Sequence, residues 1–282
     1  MPRVLTCIDG SIYSSSVARH AAWAAQRMSA EVELLQVIGR REAASQDRSG
    51  SLMAGARRAL LEELAELDSQ RAKLIQRQAR LDLEEAEAAL REGGIAEVRG
   101  LLRHGDLLDA LAEREAEANL VVIGKRGAAA GFARQHLGSN LERILRAAQR
   151  PVLIAAREFQ APRRFVLAFD GQAKALEAVD VLSRSVLFAG LPGLLLHAGP
   201  PTEETRDRLD AAAAQLRAGG LEIEARIVEG PPAETLAHEM EDGAGDLLVM
   251  GAYGHSRLRT MMIGSTTSEM IRTQGVPVLV FR

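Results

Sequence analysis

Leu247-Leu-Val-Met-Gly251-Ala-Tyr-Gly254, nine further residues, and then Gly264-Ser265-Thr266-Thr267 is the stretch on which the reading of the fold turns. An apolar run ending in glycine reads as a buried strand closing on a turn, where the absent Cβ lets backbone approach a ligand. The second glycine cluster opens the next helix near Ser268, so unpaired N–H groups and the positive end of a helix dipole would face the same anion. A tight turn followed by an ordinary Ser/Thr helix cap accounts for the same residues without a ligand.

On either side of this stretch, short apolar runs bounded by Gly, Asp or Pro alternate with long Ala/Leu/Glu/Arg segments, which is the pattern of a parallel sheet covered by helices. Strands are predicted at 3–8, 32–38, 97–102, 120–123 and 152–155, and again at 165–169, 194–197, 222–228, 247–250 and 278–281. The fold class is therefore α/β, with two tandem five-stranded parallel-sheet domains and helices on both faces. The expected domains are 1–156 and 164–282, joined by the short linker Arg157 to Arg163.

The repeat is uneven. Asp9 to Asp170 and Leu35 to Leu196 are each separated by 161 residues, whereas Gly93 to Gly219, Gly138 to Gly264 and Pro151 to Pro277 are separated by 126. The difference, 161 − 126, is 35 residues inserted in the first half between Gly39 and Gly93, so a helical insertion is expected around 40–92. Leu60, Leu64, Leu67, Leu74, Leu81 and Ala88 follow helical steps there, and Gly93-Gly94 stops the helix. Two readings stand open: a long amphipathic helix lying on its own domain, or one that projects to meet another subunit, with Arg71, Gln78 and Glu85 making a partly polar interface.

Composition excludes other classes. The 282 residues carry 35 Lys plus Arg against 38 Asp plus Glu, a net charge of −3 that offers no general attraction to nucleic acid or to an anionic membrane. Aromatic residues are only 3% of the chain, too few for base-stacking platforms, while 47% hydrophobic residues suffice for a core of Ala, Leu, Val and Ile. The single cysteine, Cys7, leaves no intrachain disulfide, reads as a small core residue and fits a reducing compartment. The apolar run after Arg3 is too short for a signal-peptide core and no stretch is long enough to span a bilayer, so a cytoplasmic location is expected.

With these residues in place, the chain resembles the universal stress protein family, whose nucleotide-binding members carry Gly-x2-Gly-x9-Gly-(Ser/Thr); Gly251, Gly254, Gly264 and Ser265 match without a gap. The resemblance covers nearly the whole chain twice, through strands ending in Asp9-Gly10-Ser11 and Asp170-Gly171, the glycine motif, and closing strands after Pro151 and Pro277. It implies a fold like that of the adenine nucleotide alpha hydrolases, with ATP, or AMP or ADP, across the carboxyl ends of the strands, with or without Mg²⁺. By the same resemblance Asp170 would contact ribose or a phosphate-bound Mg²⁺, Gly251 and Gly254 the ribose and phosphates, and Gly264, Ser265 and Thr266 the terminal phosphates. An Asp at a strand end equally caps a neighbouring turn.

In the first half the corresponding residues are Asp9, Gly124, Gly127, Gly138 and Ser139, but ten residues, not nine, separate Gly127 from Gly138. Lys125 and Arg126 are then either phosphate partners or solvated loop charges. The second half is the better candidate. The resemblance also implies an intramolecular pseudo-dimer through the last strands, 152–155 and 278–281, compatible with further homodimerisation and an unidentified protein partner.

No Gly-x4-Gly-Lys-(Ser/Thr), Gly-x-Gly-x2-Gly or Gly-x-Ser-x-Gly motif occurs, and the six histidines lack metal-ligand spacing; His255 alone sits beside the glycine motif, near Arg257 and Arg259. No residue is placed to orient a nucleophile for phosphoryl transfer. Activity is expected to extend no further than slow ATP hydrolysis or autophosphorylation on Ser265, Thr266 or Thr267. The expected function is a nucleotide-dependent stress-response module; the alternative is an interaction protein that kept the fold, lost the nucleotide and docks a partner through the long helix.

Overall fold

In the computed structural model of the chain, residues 1–39, 54–125, 137–243, 245–252 and 264–282 are described. In the first half, strand β1 (Arg3–Ile8), helix α1 (Ser14–Met28), β2 (Glu31–Gly39), α2 (Ala54–Glu92), β3 (Val98–Gly105), α3 (Leu107–Glu115), β4 (Leu120–Gly124), α4 (Ser139–Ala147) and β5 (Val152–Ala155) follow in order. The second half repeats them as β6 (Phe165–Ala168), α5 (Ala173–Arg184), β7 (Gly193–Ala198), α6 (Glu203–Ala218), β8 (Ile223–Val228), α7 (Pro232–Glu241), β9 (Leu247–Gly251), α8 (Ser265–Thr273) and β10 (Val278–Phe281), with a short 3-10 turn at Val186–Phe188. The expected strands are all present, within a few residues at their ends.

All ten strands form one sheet in the order β3-β2-β1-β4-β5-β10-β9-β6-β7-β8. Every neighbouring pair is parallel except β5 with β10, where Leu153 faces Leu279, flanked by Val278 opposite Ile154 and Val280 opposite Val152. Leu153 and Leu279 lie 126 apart, the repeat offset, so equivalent residues meet and a pseudo-twofold axis passes through the pair. The chain is thus its own pseudo-dimer.

Strands buried on both faces explain the near-continuous apolar runs. One hydrophobic layer joins α1, the end of α2, α5 and α6 to one face of the sheet, and it runs across both halves from Val4 to Phe281. The other joins α3, α4, α7 and α8 to the opposite face, from Leu5 to Val280.

Polar ties reinforce the junction. Lys125, after β4, donates from Nζ to the carbonyl of Gln274 at the end of α8, and Arg282, after β10, donates to the carbonyl of Ala148 at the end of α4, 3.3 Å away. Each half thus places a cation on a helix C-terminus of the other, where unpaired carbonyls and the helix dipole favour positive charge. Arg27 reaches the carbonyls of Leu187 and Ala189 across the same junction. The linker is held too: Phe159 meets the edge of His20 at 4.9 Å, and Arg19 lies 5.0 Å over its ring.

Helix α2 is 39 residues long, about 58 Å at 1.5 Å per residue. Among the described residues its C-terminal part is the part that is docked, through Ala79, Leu83, Ala86 and Leu90, which are buried. The stripe read from the sequence faces the other way: Leu60, Leu64, Leu67, Leu74 and Leu81 are 43, 42, 55, 66 and 51% exposed. The C-terminal part of the helix lies on its own domain, and the face that packs there is not the one the leucines mark.

Candidate nucleotide site at the carboxyl edge

In each half the strand order reverses between the first and fourth strands, and ligands of open α/β sheets settle at that switch point, beyond the carboxyl ends. In the second half β6 lies against β9 with Leu167 beside Val249, so the chain leaves these neighbours at Asp170 and Gly251 on one edge. The N–H of Gly264 donates to the Ala252 carbonyl at 3.0 Å, bringing the head of α8 back to the end of β9. Thr267 fixes that head from inside: 3% exposed, it donates from Oγ1 to the Gly251 carbonyl at 3.0 Å. Asp170, Gly251, Gly264, Ser265 and Thr266 are therefore brought together, with Ser265 exposed and Thr266 half-buried. Thr267, engaged and buried, is not placed to accept a phosphate.

Gly264 is the cap residue of α8 at φ −57, ψ 144, with no side chain to accept a hydrogen bond from the first turn. Gly138 caps α4 in the same conformation, φ −57 and ψ 134. By contrast Asp106 and Thr202 supply side-chain caps to α3 and α6. Both candidate helices thus offer a first turn that no cap residue satisfies.

The other named residues behave differently. Asp170 accepts from the Gln172 N–H at 2.9 Å, and Asp9 from the Ser11 N–H at 3.1 Å, each closing a turn over a left-handed glycine, Gly171 at φ +70 and Gly10 at φ +68. The turn-capping role is real in both. At Gly251 a Cβ would sit 3.0 Å from Lys174 Cβ, so this glycine serves the close packing of β9 on the head of α5. Asp9 and Gly124 end adjacent strands in the first half, since Cys7 pairs with Ile123, and Ser139 opens α4. Lys125 is turned to the Gln274 carbonyl. Gly127, Gly254, Arg126, His255, Arg257 and Arg259 lie outside the described residues.

Two residues that no motif announced distinguish the halves. Asp82 of α2 and Arg208 of α6 are 126 apart, the repeat offset, and occupy equivalent places. A Cβ on Gly10 would fall 2.2 Å from Asp82 Oδ2, and one on Gly171 would fall 3.4 Å from Arg208 Cδ. The turn over the first edge therefore carries a carboxylate, held by the side-chain amides of Gln36 at 3.2 Å and Gln78 at 2.8 Å; the turn over the second carries a guanidinium, paired with Glu204 at 2.6 Å. Cys7 lies beneath the first edge, and burial pushes its thiol up to about 12, leaving it an inert core residue. Among the described residues no group of three His, Cys, Asp or Glu could hold a metal ion, and no helix is long and apolar enough to cross a membrane.

The sequence model of the Universal stress protein family matches residues 1–156 and again 164–282. The chain belongs to the universal stress protein family. It is 34% identical to the universal stress protein Slr1230 of Synechocystis, over all of both chains. It is 31% identical to the universal stress protein MJ0577 of Methanocaldococcus jannaschii over 29% of this chain and 50% of that one. A universal stress protein from Archaeoglobus fulgidus has the same fold, with a TM-score of 0.75 at 21% identity, covering 99% of this chain and 98% of the other. Two tandem family domains in a mostly parallel α/β arrangement are thereby established.

Proposed function

We propose that this universal stress protein binds an adenine nucleotide, ATP or its AMP or ADP relatives, at the carboxyl edge of its second half. On this reading it is a cytoplasmic stress-response module whose shape or partner changes with the nucleotide. One observation carries the proposal: the Gly264 N–H to Ala252 bond presents an uncapped helix head beside Asp170 at the switch point. The donors fit phosphate, since Ser265 and Thr266 add hydroxyls to the first-turn N–H groups, and Arg208 beside Gly171 adds a cation to the same edge. A phosphate-bound Mg²⁺ would face Asp170. The halves 1–156 and 164–282 act as two family domains with unequal sites: the first has Asp82 where the second has Arg208, and its Lys125 is committed elsewhere.

Isothermal titration of the purified chain with ATP, with and without Mg²⁺, together with analysis of nucleotide carried through purification, tests this. Saturable binding of one nucleotide per chain is expected, lost in Gly264→Val. That substitution is tolerated by the backbone, because φ −57, ψ 144 is open to any residue. An absence of binding in the parent, or unchanged affinity in Gly264→Val, would refute the site.

A further inference from the structure

The exposed leucines of α2 have the spacing of a coiled-coil seam. From Leu60 the steps 4, 3, 4, 3 pass through Leu64, Leu67, Arg71, Leu74, Gln78, Leu81, Glu85 and Ala88, so leucine fills the d position four times in succession. The seam runs the length of the helix on the side away from Ala79, Leu83 and Leu90, and it stays exposed even where the helix is docked, at Leu81. Among the described residues, the domain on which the helix is docked leaves this surface open. A seam of this kind leaves apolar area in water unless another helix takes it.

Charge selects the occupant. Residues 62–68 hold four carboxylates and no cation, and residues 71–80 hold four cations and no carboxylate. Two copies of this helix running parallel in register would set like blocks against each other. Two running antiparallel about residues 69–70 set each acidic block against a basic one. In that register Leu64 of one copy layers with Leu74 of the other, and Glu63 and Arg77, at the flanking g positions, face one another twice by symmetry. The same turn of the seam that brings leucines together brings opposite charges together.

We infer that the projecting part of α2 is a dimerisation arm, forming an antiparallel two-helix coil with the same helix of a second copy of this chain. The two bodies then lie at opposite ends of the coil, each docked on its own helix through the buried face described above. This contact is separate from the β5–β10 junction, which is satisfied within one chain.

Sedimentation equilibrium of the full chain across a concentration series decides the matter. A dimer of the 30.4 kDa chain is expected, and Leu67→Glu with Leu74→Glu, both at exposed positions, should leave a folded monomer by circular dichroism. Glu63→Arg alone should raise the dimer dissociation constant by roughly tenfold, and Arg77→Glu added to it should restore the parent value. Residues 63 and 77 are fourteen apart on one helix, about 21 Å, so the rescue can only come from a second chain. A monomeric parent, a dimer that survives the leucine substitutions, or a charge exchange that fails to rescue would each overturn the arm.

Discussion

His20 is a histidine that the fold keeps neutral. It is buried in α1, its Nδ1 lies 2.7 Å from the Ser16 carbonyl and so must be the protonated nitrogen, and its Nε2 has no hydrogen-bond partner among the described residues. Burial lowers it from 6.5 to about 4. The unfolded chain takes up the proton as pH falls through 6.5, while the folded chain does not until about 4, so the native state loses stability across that window and keeps it above. About 2 kcal/mol should disappear between pH 7 and pH 5. Denaturant titrations at both pH values on the parent and on His20→Gln would show it. An equal drop in the variant would clear His20 of the effect. Glu33, held below the usual carboxylate range by the bidentate Arg114 at 2.6 Å, loses its contribution only at lower pH, so the two groups separate.

At the scale of the elements, the opposed charges of Asp82 and Arg208 sit on equivalent helices over equivalent turns. If the second edge takes the nucleotide, Arg208→Asp should weaken ATP binding by about tenfold at low salt, and less at high salt where exposed charges are screened. Asp82→Arg should raise the stoichiometry above one per chain by relieving the first edge of its carboxylate. Calorimetric titration at two salt concentrations reads both; an indifferent Arg208→Asp would remove that residue from the site. None of this is legible along the chain, because Asp82 is 72 residues from the turn it covers, yet the 126 offset already aligned it with Arg208.

The strands were legible, since runs buried on both faces are apolar throughout and are punctuated by Gly, Asp and Pro. The glycine motif located the edge of the second half. What the sequence concealed was direction. The leucine periodicity marked a helix correctly but not which face meets the domain, because docking uses the small Ala79 and Ala86 together with Leu83 and Leu90. Gly251 carried the spacing of a ligand glycine while its missing Cβ makes room for α5. Lys125 looked like a loop cation and belongs to a helix end in the other half.

For the whole molecule, two hydrophobic layers cross the junction without a break, and Leu153 with Leu279 stands at its centre. The halves should therefore melt together. Leu279→Ala, in a site fully enclosed, should cost about 3 kcal/mol and lower a single calorimetric transition without splitting it. Two resolved transitions would mean that each half holds itself together unaided.

The pseudo-twofold has an evolutionary corollary. A dimer of identical chains must carry identical sites, so any residue that tunes one tunes both. Joining the copies end to end keeps the geometry of the pair while freeing each copy to drift. Asp82 against Arg208 is such a difference, and so is the long helix of the first half alone. The tandem chain keeps the geometry of a symmetric pair without its symmetry, so its two edges need not carry the same residues.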